Sequence, residues 1–446
     1  MSLARVCSRA WFFGPCLALG LSLAPPAFAV DAPPAPTFQA QLVSRSTGEL
    51  ATFYTYHATP LWVHADGSLD PAALELVQFV ETADEDGLDP AALHASELAQ
   101  TVAQAQSNPT PAASADAEVA LSRTFAAYLT ALRQPSDATM QYEAAQLRPR
   151  ATGTFQTLTE AAKAPVLAEY IHNMRWMHPL YAPLRRALMT QPAIAPLARQ
   201  LAITNLERIR AIPAQPNGRH LIVDAANATL WMYDGDRAVD SMRVIVGRPD
   251  KQTPAYAGYV RYAIQNPYWK VPDDLVQSLV ARNAASLGTA YLKRQGYEVV
   301  SGDNFDGDVV DPHTVNWAAV HRGDVHVRVR QLPGPINSMG KVKYEFPNVY
   351  GIYLHDTPEK NLLTKDIRQI SNGCIRLEDA KRLGLWLMQG NMPALTSAPE
   401  QKVDLPTPIP IYVTYLTAHA EGDRVAVSAD PYNRDAKALA SLASRD

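Results

Sequence analysis

Cysteine is scarce in this chain: three in 446 residues, Cys7, Cys16 and Cys374. The first two lie in an N-terminal stretch that reads as an export signal. Arg5 and Arg9 precede an apolar run from Ala10 to Leu23, and Ala27-Phe28-Ala29 has the small-x-small form of a cleavage site. Cleavage after Ala29 is expected, with a retained anchor as the alternative. A lipid anchor on Cys16 is disfavoured by Phe13-Gly14-Pro15 before it. The mature chain would keep one thiol, which excludes an internal disulfide and makes Cys374 either a small buried hydrophobe or a reactive group. Charge is also sparse, at 19% of residues with a net of −4. No basic run or basic-aromatic patch offers a footing for nucleic acid. No later segment approaches the roughly 20 continuous apolar residues of a membrane span. None of the eleven histidines sits in a ligand pattern such as His-Glu-x-x-His, so no metal site is expected.

What is plentiful is proline, 35 residues, which predicts many ordered loops and short connections. The organisation expected is α+β and multidomain: a signal over 1–29, a linker over 30–37 and a mainly helical region over 38–212. A β-rich, β-sandwich-like domain follows over 213–392, then completing strands over 393–434 and a tail over 435–446. Helices are predicted for 118–132, 158–174 and 196–210, and a solvated loop for 106–117. His172 and His178 are expected to pack or face solvent. Strands are predicted at 221–223, 230–233, 242–246 and 411–417, and at 325–330, where valines alternate with His326, Arg328 and Arg330. A segment of about 267–337, rich in Trp, Tyr, Gly and Pro, is long enough to be a lid inserted into the second domain.

The chemistry concentrates near the end of that domain. A strand over 350–355 puts Tyr353 and His355 on one face and Ile352 and Leu354 on the other. Nineteen positions after His355 comes Ser371-Asn372-Gly373-Cys374-Ile375-Arg376. Asn-Gly favours a tight turn that presents Cys374 with backbone N–H groups converging. A helix expected from Leu377, with an imidazole nearby, favours a thiolate. His355 suits the base that takes the thiol proton and relays it to a leaving amine. The N–H of Cys374 and of a neighbouring loop residue can hold an oxyanion. Arg376 fits either a substrate carboxylate or a salt bridge to a loop acid.

The pattern His-x(n)-Ser-x-Gly-Cys-Ile-Arg resembles the signature of the L,D-transpeptidase (YkuD-type) catalytic domain. The likeness extends to Arg243-Val244-Ile245-Val246-Gly247, Thr253-Pro254, Asn266-Pro267-Tyr268-Trp269, Phe346-Pro347-Asn348 and Tyr353-Leu354-His355-Asp356-Thr357-Pro358. Gly87-Leu88-Asp89-Pro90 and Asn205-Leu206-Glu207-Arg208 resemble the helical scaffold domain of the large Gram-negative subfamily. The resemblance implies acyl transfer on peptidoglycan stem peptides in the periplasm. Cys374 would be the nucleophile and His355 the base, with Gly373 and Asn372 in the oxyanion loop and Tyr353, Ser371 and Arg376 lining the pocket. A donor tetrapeptide would lose its terminal D-alanine, and the side-chain amine of diaminopimelate on a second stem would resolve the thioester into a 3–3 cross-link. The family holds its base through a backbone carbonyl, so Asp356 receives no triad role. No cofactor is implied; partners would be stem peptides and other wall-synthesis proteins.

Two departures stand out: Asn372 where the family commonly has His, and no segment resembling its small peptidoglycan-binding domain. Hydrolysis of the same thioester, a non-catalytic wall binder and an unrelated cysteine peptidase remain as alternatives.

Overall fold

The computed structural model describes residues 37–443 apart from 58, 136–139, 192, 215–217, 303 and 306. The expected signal and nearly all of the linker lie outside the described residues.

The first part is helical: α1 (Phe38–Arg45), α2 (Gly48–Tyr56), α3 (Pro71–Glu81), α4 (Ala95–Ser107), α5 (Pro111–Leu132), α6 (Thr154–Ala162), α7 (Leu167–His172), α8 (Tyr181–Thr190) and α9 (Pro196–Arg210). Prolines at the first turn mark three starts. Asp70 caps α3 and Thr110 caps α5 by accepting from Ala72 N and Ala113 N, satisfying donors that the helix cannot. The solvated loop expected over 106–117 is therefore wrong: α4 runs to Ser107 and α5 begins at Pro111, leaving a short connection. The single helix expected over 158–174 is two, separated around Pro165, whose ring and missing N–H oppose continuation. The core of this part is Phe53, Trp62, Leu76, Phe125, Trp176 and their neighbours.

The second part is a closed sheet. Its strands are β2 (Arg219–Asp224), β3 (Thr229–Asp234), β4 (Arg237–Gly247), β5 (Tyr256–Gln265), β10 (Val342–Glu345), β11 (Leu354–His355), β12 (Gln369–Ser371), β13 (Ile375–Leu377) and β14 (Gln401–Thr414), and β1 (Gln141–Tyr142) joins from the helical part. The order is β1-β5-β10-β11-β13-β4-β3-β2-β14, and pairing of β14 with β5 gives the β-rich domain a barrel-like sheet. Leu221, Leu230, Val244, Leu354, Ile375, Ile411 and the helix Ala380–Leu387 fill its core. That helix buries Ala380, Leu383, Gly384 and Leu387, as the spacing predicts.

Between β5 and β10 the chain leaves the barrel and builds a second sheet, β6 (Trp269–Lys270), β7 (Tyr297–Val300), β8 (Val309–Val310) and β9 (Arg328–Gln331), ordered β6-β9-β7-β8. It packs with its own helices around Val271, Val280, Leu292, Trp317 and Val329. The strand expected from Val325 starts only at Arg328, and Val325 is exposed. Arg328 and Arg330 pair with Asp273 and Glu298.

The C-terminal part departs from expectation. The hairpin β15 (Ala418–Glu421) and β16 (Arg424–Val427) packs on α8 and α9 of the helical part. The expected tail carries a helix, Asp435–Ala443, tied to α9 by Arg208–Asp435 at 2.7 Å.

Candidate functional site

The site lies where β10, β11 and β13 run side by side. β11 pairs in parallel with β13, Leu354 opposite Ile375 and His355 opposite Arg376. β10 pairs antiparallel with β11, Lys343 opposite His355. Laterally paired residues share a face, so Leu354 and Ile375 enter the barrel core while His355, Lys343 and Arg376 stand together on the other side. One step along, Ile375 N donates to Tyr353 O at 3.0 Å, which places Cys374 beside Tyr353. Two residues along β10 from Lys343, Glu345 has that same face. By this alternation Cys374, just before β13, lies on the face that carries His355 at the end of β11, with Tyr353 against the sulfur and Arg376 two residues further along.

The loop carrying the thiol is held at every residue. Ser371 Oγ donates to Cys374 O at 2.7 Å and accepts from Gly373 N at 3.1 Å. Thr253 Oγ1 donates to Gly373 O at 2.8 Å, and Arg248 N donates to Ser371 O at 2.9 Å. The Arg248 guanidinium donates to Asn372 Oδ1. Gly373 adopts φ +116°, a backbone state that a side chain resists. Three expectations need correction. Ser371 is buried and spent on the loop, so it positions the thiol instead of lining a pocket. The Gly373 N–H is committed to Ser371 and is not an oxyanion donor. That leaves the Cys374 N–H, which has no hydrogen-bond partner among the described residues. Finally, the helix expected from Leu377 does not start there: strand β13 covers Ile375–Leu377, and the helix starts at Ala380.

His355 is buried, and its Nδ1 donates to the backbone carbonyl of Asp356 at 2.5 Å. That bond makes Nδ1–H the protonated nitrogen of the neutral ring and leaves Nε2 as a lone-pair acceptor. The Asp356 carboxylate turns elsewhere, accepting from Lys341 N at 2.9 Å and Lys360 Nζ at 2.7 Å. Arg376 pairs with Glu359 at 2.6 Å, with Glu359 mostly exposed; of the two readings of Arg376, this ion pair is the one present.

Electrostatics overturn the ionised thiol expected. Cys374 is partly exposed, with Sγ 4.0 Å from Gly351 O. Burial pushes its thiol up to about 11, against hydrogen bonds from Tyr353 and the Arg376 charge that pull the other way. Burial, and then Arg376, push His355 down to about 3. At neutral pH the resting pair is thiol and neutral imidazole. The Tyr353 hydroxyl stays protonated, held well above its ordinary value by burial and then by the neighbouring sulfur.

Sequence reasoning missed Lys343 and Glu345, an ion pair of 2.8 Å with both side chains largely buried. Lys343 Nζ also lies 5.1 Å from the Tyr353 ring centre. Their signal was the period-two run Lys341-Val342-Lys343-Tyr344-Glu345. Lys251 of the loop after β4 reaches Asp274 of the inserted sheet's first helix at 3.1 Å. Among the described residues no group of three or more His, Cys, Asp or Glu could hold a metal, and no helix is long and apolar enough to cross a membrane.

Residues 218–411 match the L,D-transpeptidase catalytic domain (YkuD), and residues 48–188 match the scaffold domain that accompanies it in the resemblance noted above. A Haemophilus influenzae protein provisionally named an L,D-transpeptidase is 29% identical over 283 residues, 60% of this chain and 55% of that protein. The chain therefore spans about half the length of that relative. Among solved structures, an L,D-transpeptidase from Mycobacterium smegmatis is similar at 13% identity, over 44% of this chain and 58% of that one, with a TM-score of 0.23. L,D-transpeptidase 3 from Mycobacterium tuberculosis, in complex with a faropenem-derived adduct, is similar at 13% identity, over 44% and 60%, with a TM-score of 0.21. Over residues 218–411 this chain is therefore similar to YkuD-type L,D-transpeptidase catalytic domains, and over residues 48–188 to a scaffold domain.

Proposed function

We propose that the chain is an exported, wall-associated cysteine acyltransferase that forms 3–3 cross-links between peptidoglycan stems. The observation that carries the reading is the shared face of Cys374 and His355, with His355 Nδ1 tied to a carbonyl and Nε2 left as acceptor.

Because the resting pair is neutral, thiolate is not stored but generated as it is used. The Sγ–H proton passes to Nε2 while Sγ bonds to the carbonyl carbon of the third stem residue. The carbonyl oxygen takes the negative charge, and the uncommitted Cys374 N–H is its donor. As the oxyanion collapses, the C–N bond to the terminal D-alanine breaks and Nε2 returns its proton to the departing amine. The diaminopimelate amine of a second stem then attacks the thioester, His355 takes its proton, and Sγ leaves with that proton.

Hydrolysis is the second reading. Cys374 is partly exposed, which leaves water a route to the thioester. Incubation with purified disaccharide-tetrapeptide, followed by mass spectrometry, separates the two: cross-linked dimer supports transfer, tripeptide alone supports hydrolysis, and neither product removes both. A carbapenem adduct on Cys374 in intact-mass analysis is expected, and its absence counts against the nucleophile.

A further inference from the structure

Across the sheet at the level of His355, three basic side chains stand in one row: Lys343 on β10, His355 on β11 and Arg376 on β13. The next row holds Glu345, Tyr353 and Cys374. Each charge near the imidazole has a partner, Lys343 included. Arg376 faces Glu359 at 2.6 Å, the Asp356 carboxylate takes Lys360 and Lys341 N, and Glu345 takes Lys343 at 2.8 Å. Burying a Lys–Glu pair on a reacting face costs desolvation of both ions and does not by itself stabilise the fold. A hydrophobic pair would serve packing as well.

We propose that Lys343, with Glu345 as its counter-charge, is a positioning residue for the acyl transfer: it works through His355, keeping that ring a neutral acceptor at rest and a strong acid once protonated. The inference rests on the assignment of His355 as the base. An imidazolium formed between Lys343 and Arg376 is repelled from both sides, which favours delivery of its proton to the departing amine over its retention. The pair would act on turnover without touching the substrate. Glu345 sets the size of the effect, since an uncompensated Lys343 would make thiol deprotonation itself unfavourable. The Lys343 ammonium 5.1 Å from the Tyr353 ring centre fixes the ring that packs beside the sulfur, so the pair also connects the base row to the nucleophile row.

The test uses the full chain and two readouts. One is the pH dependence of Cys374 acylation by a carbapenem, followed by intact mass; the other is an NMR titration of the His355 ring with isotope-labelled histidine. Lys343→Gln is expected to move the acid limb and the ring titration toward neutrality, by less than loss of the Arg376 charge would, with a matching loss of rate at a fixed pH on that limb. Lys343→Arg restores both. Glu345→Gln leaves the titration at or below that of the parent, because it strips the compensating charge and keeps the cation. An unmoved titration in Lys343→Gln, or an upward shift in Glu345→Gln, overturns the inference, since a packing role would move neither or both alike. Opposed shifts in the titration without acylation of any variant would remove the enzymatic assignment and leave the electrostatic coupling standing.

Discussion

Replacing Ser371 by Ala tests whether the loop geometry, and not the dyad alone, makes Cys374 reactive. One hydroxyl makes two short bonds, to Cys374 O at 2.7 Å and from Gly373 N at 3.1 Å, in a buried setting. At about 1 kcal/mol net for each, with the Gly373 N–H left buried and unpaired, the loss of stability should be about 2–3 kcal/mol. The kinetic cost is separable from this. The Cys374 N–H shares its planar peptide unit with Gly373 O, which Thr253 holds, and is flanked on the other side by the carbonyl that Ser371 holds, so loss of Ser371 leaves the oxyanion donor restrained at one end only. Loss of one such donor costs roughly 10²–10³-fold in kcat. Acylation by a carbapenem in stopped flow isolates that step, and urea unfolding gives the stability. The expected pattern is a rate fall near a hundredfold under conditions where the variant is fully folded. A variant that loses stability as calculated yet acylates at the parental rate would refute the positioning argument and return Gly373, freed of its partner, to candidacy as the donor.

Three further outcomes are expected. Asp86 is buried in the scaffold, pairing with Arg185 at 2.8 Å and accepting from the hydroxyls of Tyr128 at 2.6 Å and Tyr181 at 2.7 Å. Asp86→Asn strands the Arg185 charge and should cost about 3–5 kcal/mol, seen as a lower urea midpoint; a loss below about 1 kcal/mol would show the cluster to be dispensable. His178 and His220 share an Nε2–Nε2 bond of 3.1 Å between the helical part and β2. Burial holds His220 down to about 4 from 6.5, and His178 lower than its ordinary value, first by burial and then by His220. For these two rings the unfolded state therefore binds more protons between pH 6.5 and 4, while Glu118, pushed up to about 7 by burial, contributes in the opposite sense over much of that window. The contribution of the pair should be full above pH 6.5 and be lost across that window, by on the order of 3 kcal/mol for His220 alone, so His220→Gln should make the parent-minus-variant difference in unfolding free energy vanish at low pH and grow toward pH 6.5. For Cys374, a thiol near 11 predicts slow iodoacetamide alkylation at pH 7 that climbs with pH through that value. A plateau already reached by pH 8 would mean a stored thiolate.

The parts of this molecule that could be read in advance are those governed by near neighbours in the chain. The strand expected over 350–355 is only Leu354–His355, yet alternation still separates Ile352 and Leu354 from His355, and the spacing of Ala380, Leu383 and Leu387 predicted the buried side of their helix. The misreadings share a cause. Pro111 to Ala117 has a loop-like composition, yet Thr110 and Pro111 form a cap and first turn that turn the run into a helix. Ile375-Arg376-Leu377 is too short to show a period, and its strand character comes from lying between β11 and β4, which are distant in sequence. Ionisation was the least legible property. A thiolate is expected from a helix start and an imidazole close by, but the helix begins only at Ala380. The displacement of thiol and imidazole comes from burial contributed by many strands at once. The row of Lys343, His355 and Arg376 exists only because β10 returns from a long excursion to pair with β11. Sequence alternation states that Lys343 and Glu345 point one way; the topology decides that this way is toward Cys374. A homologous barrel in which another strand occupied the place of β10 could keep the cysteine and histidine signature intact and still run its proton transfers under a different field.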